Sequence, residues 1–336
     1  MVVPTYNISM FPEYKDISNN GGFASVYCED DPRACQNTPW TMDGVDILEF
    51  NFYAPFLLTM FNFLVQVLNV LFLIKKNYLK TGPFYKILLI LSISSVFRCI
   101  HSFLNYSIVA IYKSDAEIYQ ISVRSSMYID FFFNFFLTIL IFLMSLNRCL
   151  CFVSNYWNEK IFEGQKYKIL IFIAFSIAIL ATIIGIKTSE IRRLFYVEAG
   201  FIDYSQNLDG YKTMIDRIFY IFPISSTICY IILFRYLRKQ SKMVLTSRNA
   251  EQKIFAQLLV TVIFYGLICI FFEAVGILDN VLENDELILL ISWLNIINYL
   301  PEISLPFMLL VSNFQFCRKS IKIEAIVSTM TSNTVK

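Results

Sequence analysis

Seven apolar stretches, each about long enough to cross a bilayer, follow one another along this 336-residue chain with short polar segments between them. They fall at about 50–74, 84–112, 122–145, 169–186, 218–237, 254–278 and 287–311. Backbone groups in hydrocarbon must bond to one another, and within a single segment only a helix achieves that. With 57% hydrophobic and only 16% charged residues the chain is too apolar for a soluble domain of this length. The expected fold is an all-α membrane protein: a seven-transmembrane-helix bundle over 50–311, an outer tail at 1–49, and a short amphipathic helix and tail at 312–336. No internal repeat interrupts this plan.

Seven spans put the termini on opposite sides, and the basic residues decide which side is which. With the N-terminus outside, the inner segments hold 18 Lys and Arg against 4 Asp and Glu, and the outer ones 9 against 19. "KKNYLK" and "RYLRKQSKMVLTSRNAEQK" supply much of the inner excess. The location expected is the plasma membrane, multi-pass, with an extracellular N-terminus. No apolar core precedes residue 50, so the first span is expected to start insertion itself. In the outer tail Asn7 opens a glycosylation sequon, and Cys28 and Cys35 are placed to close a small disulfide ring in an oxidising lumen. A second sequon at Asn105 lies too close to the membrane for modification. The other six cysteines fall in spans or at the inner face, as packing residues or lipidation sites.

Enzyme chemistry finds little footing. One histidine excludes a multi-histidine metal site, and CxxC pairs, glycine-rich phosphate loops and HExxH helices are absent. No cofactor, metal or nucleic-acid partner is expected. The seventh stretch has no lysine for a retinal Schiff base.

The third stretch ends on "SLNRCLCF", an arginine set among apolar residues. Its guanidinium is too costly to leave in lipid, so Arg148 marks the inner end of that span. Taken alone it reads equally well as an interfacial anchor whose long stem reaches the water. Other positions add to it: Asn69 in "QVLNVLFLI", Pro223 in "IFPISS", and Pro306 followed by Asn313 and Phe316 in "LPFMLLVSNFQF". With the triplet Asn147-Arg148-Cys149, this set resembles the nematode serpentine chemoreceptors, classes xa or x, a divergent branch of the rhodopsin-like G-protein-coupled receptors. The resemblance implies a receptor of the plasma membrane or sensory cilium that binds a small-molecule ligand from outside and activates a heterotrimeric G protein. It assigns Asn147, Arg148, Pro306 and Asn313 to activation, with Arg148 freed to meet the Gα subunit. Asn147 can accept a hydrogen bond from Arg148 but cannot neutralise it, which leaves Glu251 as a substitute restraint. Arg318, Lys319 and Lys322 suit a helix lying on membrane lipid.

The sequence also departs from the family pattern. Neither the start of the third span nor "KTSEIRRLFYVEAGFIDYSQNLDGYKTM" contains a cysteine, so the usual disulfide between them cannot form and something else must hold that loop. Leu305 and Leu309 stand where asparagine and tyrosine are usual.

Four ionisable residues fall inside the spans, Arg98, Asp130, Glu273 and Glu302, and such groups are functional candidates. Asp130 lies 18 residues before Arg148, about 27 Å further out, the separation of the ligand-binding aspartate in amine receptors of the superfamily. Arg98 sits at nearly the same depth on the neighbouring span, and pairing between the two is the favoured alternative, because a buried lone carboxylate tends to protonate. Arg98, Asp130, Glu273 and His101, one turn beyond Arg98, are the candidate ligand residues. Glu273 and Glu302, with Asn295 and Asn298, would line a polar cavity or bond between helices. A rival reading is a seven-span ligand-gated channel or transporter using these charges as its path; the lack of inverted repeats or broken, glycine-rich spans weighs against it.

Overall fold

Hydrocarbon as solvent inverts the usual rule for helix faces, and this chain is built accordingly. The computed structural model describes residues 6–7, 47–76, 78, 82–112, 116–196, 200–205, 211–240 and 300–311, with helical pieces at 260, 263–264, 266–271 and 273–274. Among these residues, five helical stretches are long and apolar enough to cross a membrane: Phe56–Lys75, Pro83–Val109, Glu117–Val153, Lys166–Thr188 and Lys212–Tyr236. The first helix, α1 (Ile47–Lys75), buries Thr59, Asn62, Gln66 and Asn69 in one stripe at helical spacing. Its leucines 57, 64, 68 and 71 look outward. In water that arrangement would be inside out; in lipid it hides the polar groups and leaves the hydrocarbon exposed.

Helix α2 (Pro83–Ile111) begins on a proline whose missing N–H is no loss at the first helical position. It buries Ser92, Ser95 and Arg98 and exposes Ile93, Phe97, Ile100 and Leu104. Helix α3 (Glu117–Val153) has 37 residues, about 55 Å, and is the most thoroughly buried span. Phe131, Phe135, Leu137, Leu140 and Met144 form the centre of the core with Leu73, Ile87, Leu88 and Leu91. The connection that follows holds α4 (Asn155–Phe162) and turns at Gly164, φ 65°, where a side chain would be strained. Helix α5 (Lys166–Thr188) is apolar all round and is oriented by size instead. Ala174, Ala178, Ala181 and Gly185 are buried, so its backbone packs closely, against α3 and, at Gly185, against Lys212 and Ile215, while Phe172, Ile173, Leu180 and Ile184 face outward.

The connection after α5 contributes to the only sheet among the described residues. With Tyr6–Asn7 as β1, strands β2 (Ile191–Tyr196) and β3 (Gly200–Ser205) form an antiparallel hairpin that sets Arg193 opposite Asp203. Strand β1 runs parallel to β3, with Asn7 beside Ser205. The chain then re-enters through α6 (Lys212–Phe219) and α7 (Ile221–Gln240). The Thr188 and Ser189 hydroxyls accept the Tyr211 and Lys212 backbone N–H groups and so tie the start of α6 to the end of α5. The break at Tyr220 has a local cause: Pro223 has no N–H to give the Phe219 carbonyl one turn back. A shorter apolar helix, α8 (Leu300–Val311), carries Pro306 and packs Leu305 and Leu309 into the core.

The membrane part is thus helical, as expected, with two corrected boundaries and one unforeseen element. The third helix covers 117–153 rather than 122–145, because a helix at the centre of a bundle gains packing beyond the hydrocarbon thickness. The fifth stretch begins at Lys212 rather than 218, because its early charges are paired and buried. The hairpin lies in the loop expected to need a hold other than a disulfide. The sixth stretch at 254–278 is described only in pieces, and the outer half of the seventh and the amphipathic segment at 312–336 lie outside the described residues.

Candidate functional site

Four helices and the hairpin bring charged and polar side chains to one buried cluster at the hairpin end of the bundle. Glu302 on α8 accepts from Asn62 Nδ2 at 3.2 Å and from Arg98, and its backbone oxygen accepts from Gln66 Nε2 at 3.0 Å. Arg98 Nε also stands 3.5 Å from Asp130 Oδ1. The other oxygen of Asp130, Oδ2, accepts from Arg193 Nη1 at 2.5 Å. Arg193 then grips Asp203 with Nε and Nη2, each bond 2.7 Å, and donates to Ser126 Oγ at 3.1 Å. Phe201 lies under the guanidinium at 5.4 Å. The ring of Phe201 rests on Tyr106 and on the small cluster of Val109, Tyr119 and Val123.

Such groups tolerate burial because each carboxylate touches a guanidinium and each guanidinium is shared between two carboxylates. Burial opposes the charge on Arg193, but the Asp203 and Asp130 carboxylates outweigh it and hold the guanidinium above its ordinary pKa. Asp130 is the exception in access: its side chain is 24% exposed, while those of Arg98, Glu302, Arg193 and Asp203 are 9% or less.

The favoured pairing of Asp130 with Arg98 is found, though each is shared. Asp130 binds two arginines, and Arg98 binds two carboxylates. His101 plays the polar packing role: Asn105 Nδ2 donates to His101 Nδ1 at 2.7 Å, and Ser122 Oγ donates to Asn105 Oδ1 at 2.5 Å. That burial of Asn105 agrees with the expectation that its sequon is out of reach. Glu273, another of the ligand candidates, lies apart from these groups. It pairs with Arg217 at 3.3 Å, both side chains substantially exposed, and takes no part in the Glu302 cluster. The helix 6 stretch presents it to α6 rather than to the interior.

At the opposite end of the bundle, the Arg148 guanidinium lies 3.9 Å from the Phe84 ring centroid and 5.6 Å from that of Tyr85, and its Nε is buried with no hydrogen-bond partner. Among the described residues no carboxylate pairs with it. Asn147 donates to Asn158 on α4 at 2.8 Å. Tyr230 on α7 donates to Ser145 on α3 at 3.0 Å, and Asn69 donates to Ser92 at 2.8 Å. Pro306 is buried in α8. Glu251, Asn295, Asn298, Asn313, Cys28 and Cys35 lie outside the described residues, and Asn7 is described only through its strand pairing.

Sequence reasoning missed Arg193, Asp203, Asn62, Gln66 and the buried pair Lys212–Asp216, 2.5 Å apart with Lys212 over the Phe131 ring. Signals for some were present. Asn62, Gln66 and Asn69 recur at helical spacing in the first apolar stretch, and Lys212 and Asp216 stand at i and i+4. No family model matches the chain, and no curated protein is similar to it.

Proposed function

We propose that the chain is a seven-span G-protein-coupled chemosensory receptor of the plasma membrane, N-terminus outside, related to the nematode serpentine receptors. It takes a small molecule from the extracellular side and activates a heterotrimeric G protein. The observation that carries this reading is the state of Arg148. A permanent charge sits at the inner end of the most buried span, held by two aromatic rings and by no described carboxylate. Cation–π contact of this kind is worth about 0.5–2 kcal/mol, weak enough for carbonyls or a carboxylate of an arriving protein to take over. Asn147, Ser145 and Tyr230 tie the surrounding inner ends of α3, α4 and α7 together, so a shift of those helices would change the setting of Arg148.

A charged path for ions is less well supported. Arg98, Asp130 and Glu302 are closed on one another instead of lining an open route, and Glu273 stands apart.

The test is a screen of volatile and water-soluble chemicals on cells expressing the chain, read as G-protein activation, followed by Arg148→Ala with the best agonist. The variant is expected to reach the surface and lose at least 90% of the response, which is about the effect of 1.4 kcal/mol or more. Full signalling by the variant would reduce Arg148 to an interfacial anchor. Ligand-evoked current in a membrane without G proteins would favour the channel instead.

A further inference from the structure

Four buried oxygens below the charged cluster have no hydrogen-bond partner: Gln66 Oε1, Asn69 Oδ1, Ser95 Oγ and Asn134 Oδ1. Their positions are related. Gln66 is bonded to Glu302, Ser95 lies one turn inward of Arg98 and one turn outward of Ser92, and Asn134 lies one turn inward of Asp130 on the same face of α3. Asn69 is bonded to Ser92. All four therefore fall between the Arg98–Glu302–Asp130 level and the Asn69–Ser92 level. Two of the amides have their orientation fixed by use: Gln66 Nε2 donates to Glu302 and Asn62, and Asn69 Nδ2 to Ser92, so their oxygens are left as acceptors.

Buried polar atoms in native proteins are paired almost without exception, and an unpaired one needs a reason such as a bound group. The charge balance says what kind. The cluster contains three carboxylates, Asp130, Asp203 and Glu302, against two guanidinium groups, Arg98 and Arg193. One negative charge has no counterpart, and the unpaired atoms below it ask for donors. Asp130 is the member with appreciable exposure.

We propose that this shelf of acceptors binds the head group of a compact organic cation with several N–H donors, a primary ammonium or a guanidinium, that enters past Asp130. The inference rests on the small-molecule reading given above and names the ligand class. An N–H cation supplies both the missing positive charge and several donors at once, whereas a carboxylate adds to the excess negative charge and a neutral donor leaves it uncompensated.

The experiment uses the purified full chain in lipid nanodiscs and measures thermal unfolding with millimolar methylguanidinium or ethylammonium. Controls are tetramethylammonium, which has the charge without N–H groups, sodium chloride and acetate. A saturable rise in Tm with the two N–H cations alone is expected. Asn134→Leu and Ser95→Ala each remove an unpaired oxygen and break no described hydrogen bond. Both variants are expected to fold with at least the parent Tm and to bind the probes about 10- to 100-fold more weakly. The proposal is overturned by an equal shift with tetramethylammonium or sodium, by no shift with any probe, or by unchanged probe affinity in both variants. Because no G protein is present, this outcome is independent of whether the chain signals.

Discussion

Arg98 and Asp130 each serve two partners, and that division sets what their loss does. Removing Arg98 leaves Glu302, with a side chain only 1% exposed, as a buried carboxylate without a cation. Breaking a buried pair in this way costs about 3–5 kcal/mol, so Arg98→Met is expected to lose most of its surface expression. Glu302→Gln in the same chain keeps the bond from Asn62 possible and removes the stranded charge, so the double variant is expected to recover. Asp130→Asn is expected to cost less, because Asp130 is partly exposed and Arg193 keeps its two bonds to Asp203. Surface labelling and Tm of the four proteins check the order; a double variant no better than Arg98→Met would break the argument. The depth of Arg98 and Asp130 along their spans was enough to foresee their contact. Glu302 was not assignable in the same way, since its pairing depends on how α1, α2 and α8 are rotated about their axes, and a single sequence carries little of that.

At the scale of elements, the hairpin answers what holds the outer loop in the absence of a disulfide. Arg193 joins β2 to β3 through Asp203 and joins both to α3 through Asp130 and Ser126. Arg193→Met fills similar volume without charge and leaves Asp203 buried and unpaired. Hydrogen exchange at the amides of 191–205 is then expected to speed up by about two orders of magnitude or more, as a loss of about 3 kcal/mol in local stability implies, while the middle of α3 stays protected. Equal exchange in the variant and the parent would mean that strand pairing alone holds the hairpin. The helices themselves were legible because long apolar runs have one solution in lipid. The ends of α3 were not, because hydropathy reports membrane thickness and α3 continues past it to pack. The hairpin was hidden for a different reason: its strands are short, charged residues interrupt them, and the partner of each lies in the other strand or on α3.

The whole molecule shows its solvent through its inverted faces, with asparagine, glutamine and serine inside and leucine, isoleucine and phenylalanine outside. The lysine and arginine distribution in the connections carries the expectation that the N-terminus is outside. A tag ahead of Tyr6 is expected to be reached by antibody on intact cells, and one after Lys336 only after permeabilisation; the opposite labelling would remove the receptor reading. Among the described residues the hairpin is fastened by Arg193 and by the packing of Ile191 and Phe201, with no disulfide, which has a practical side. A chain whose loop is pinned by Arg193 needs no oxidase or disulfide isomerase to dock that loop. Cell-free synthesis directly into nanodiscs, in the reducing lysates that cripple disulfide-tied receptors, can therefore deliver this part of the protein in its native form.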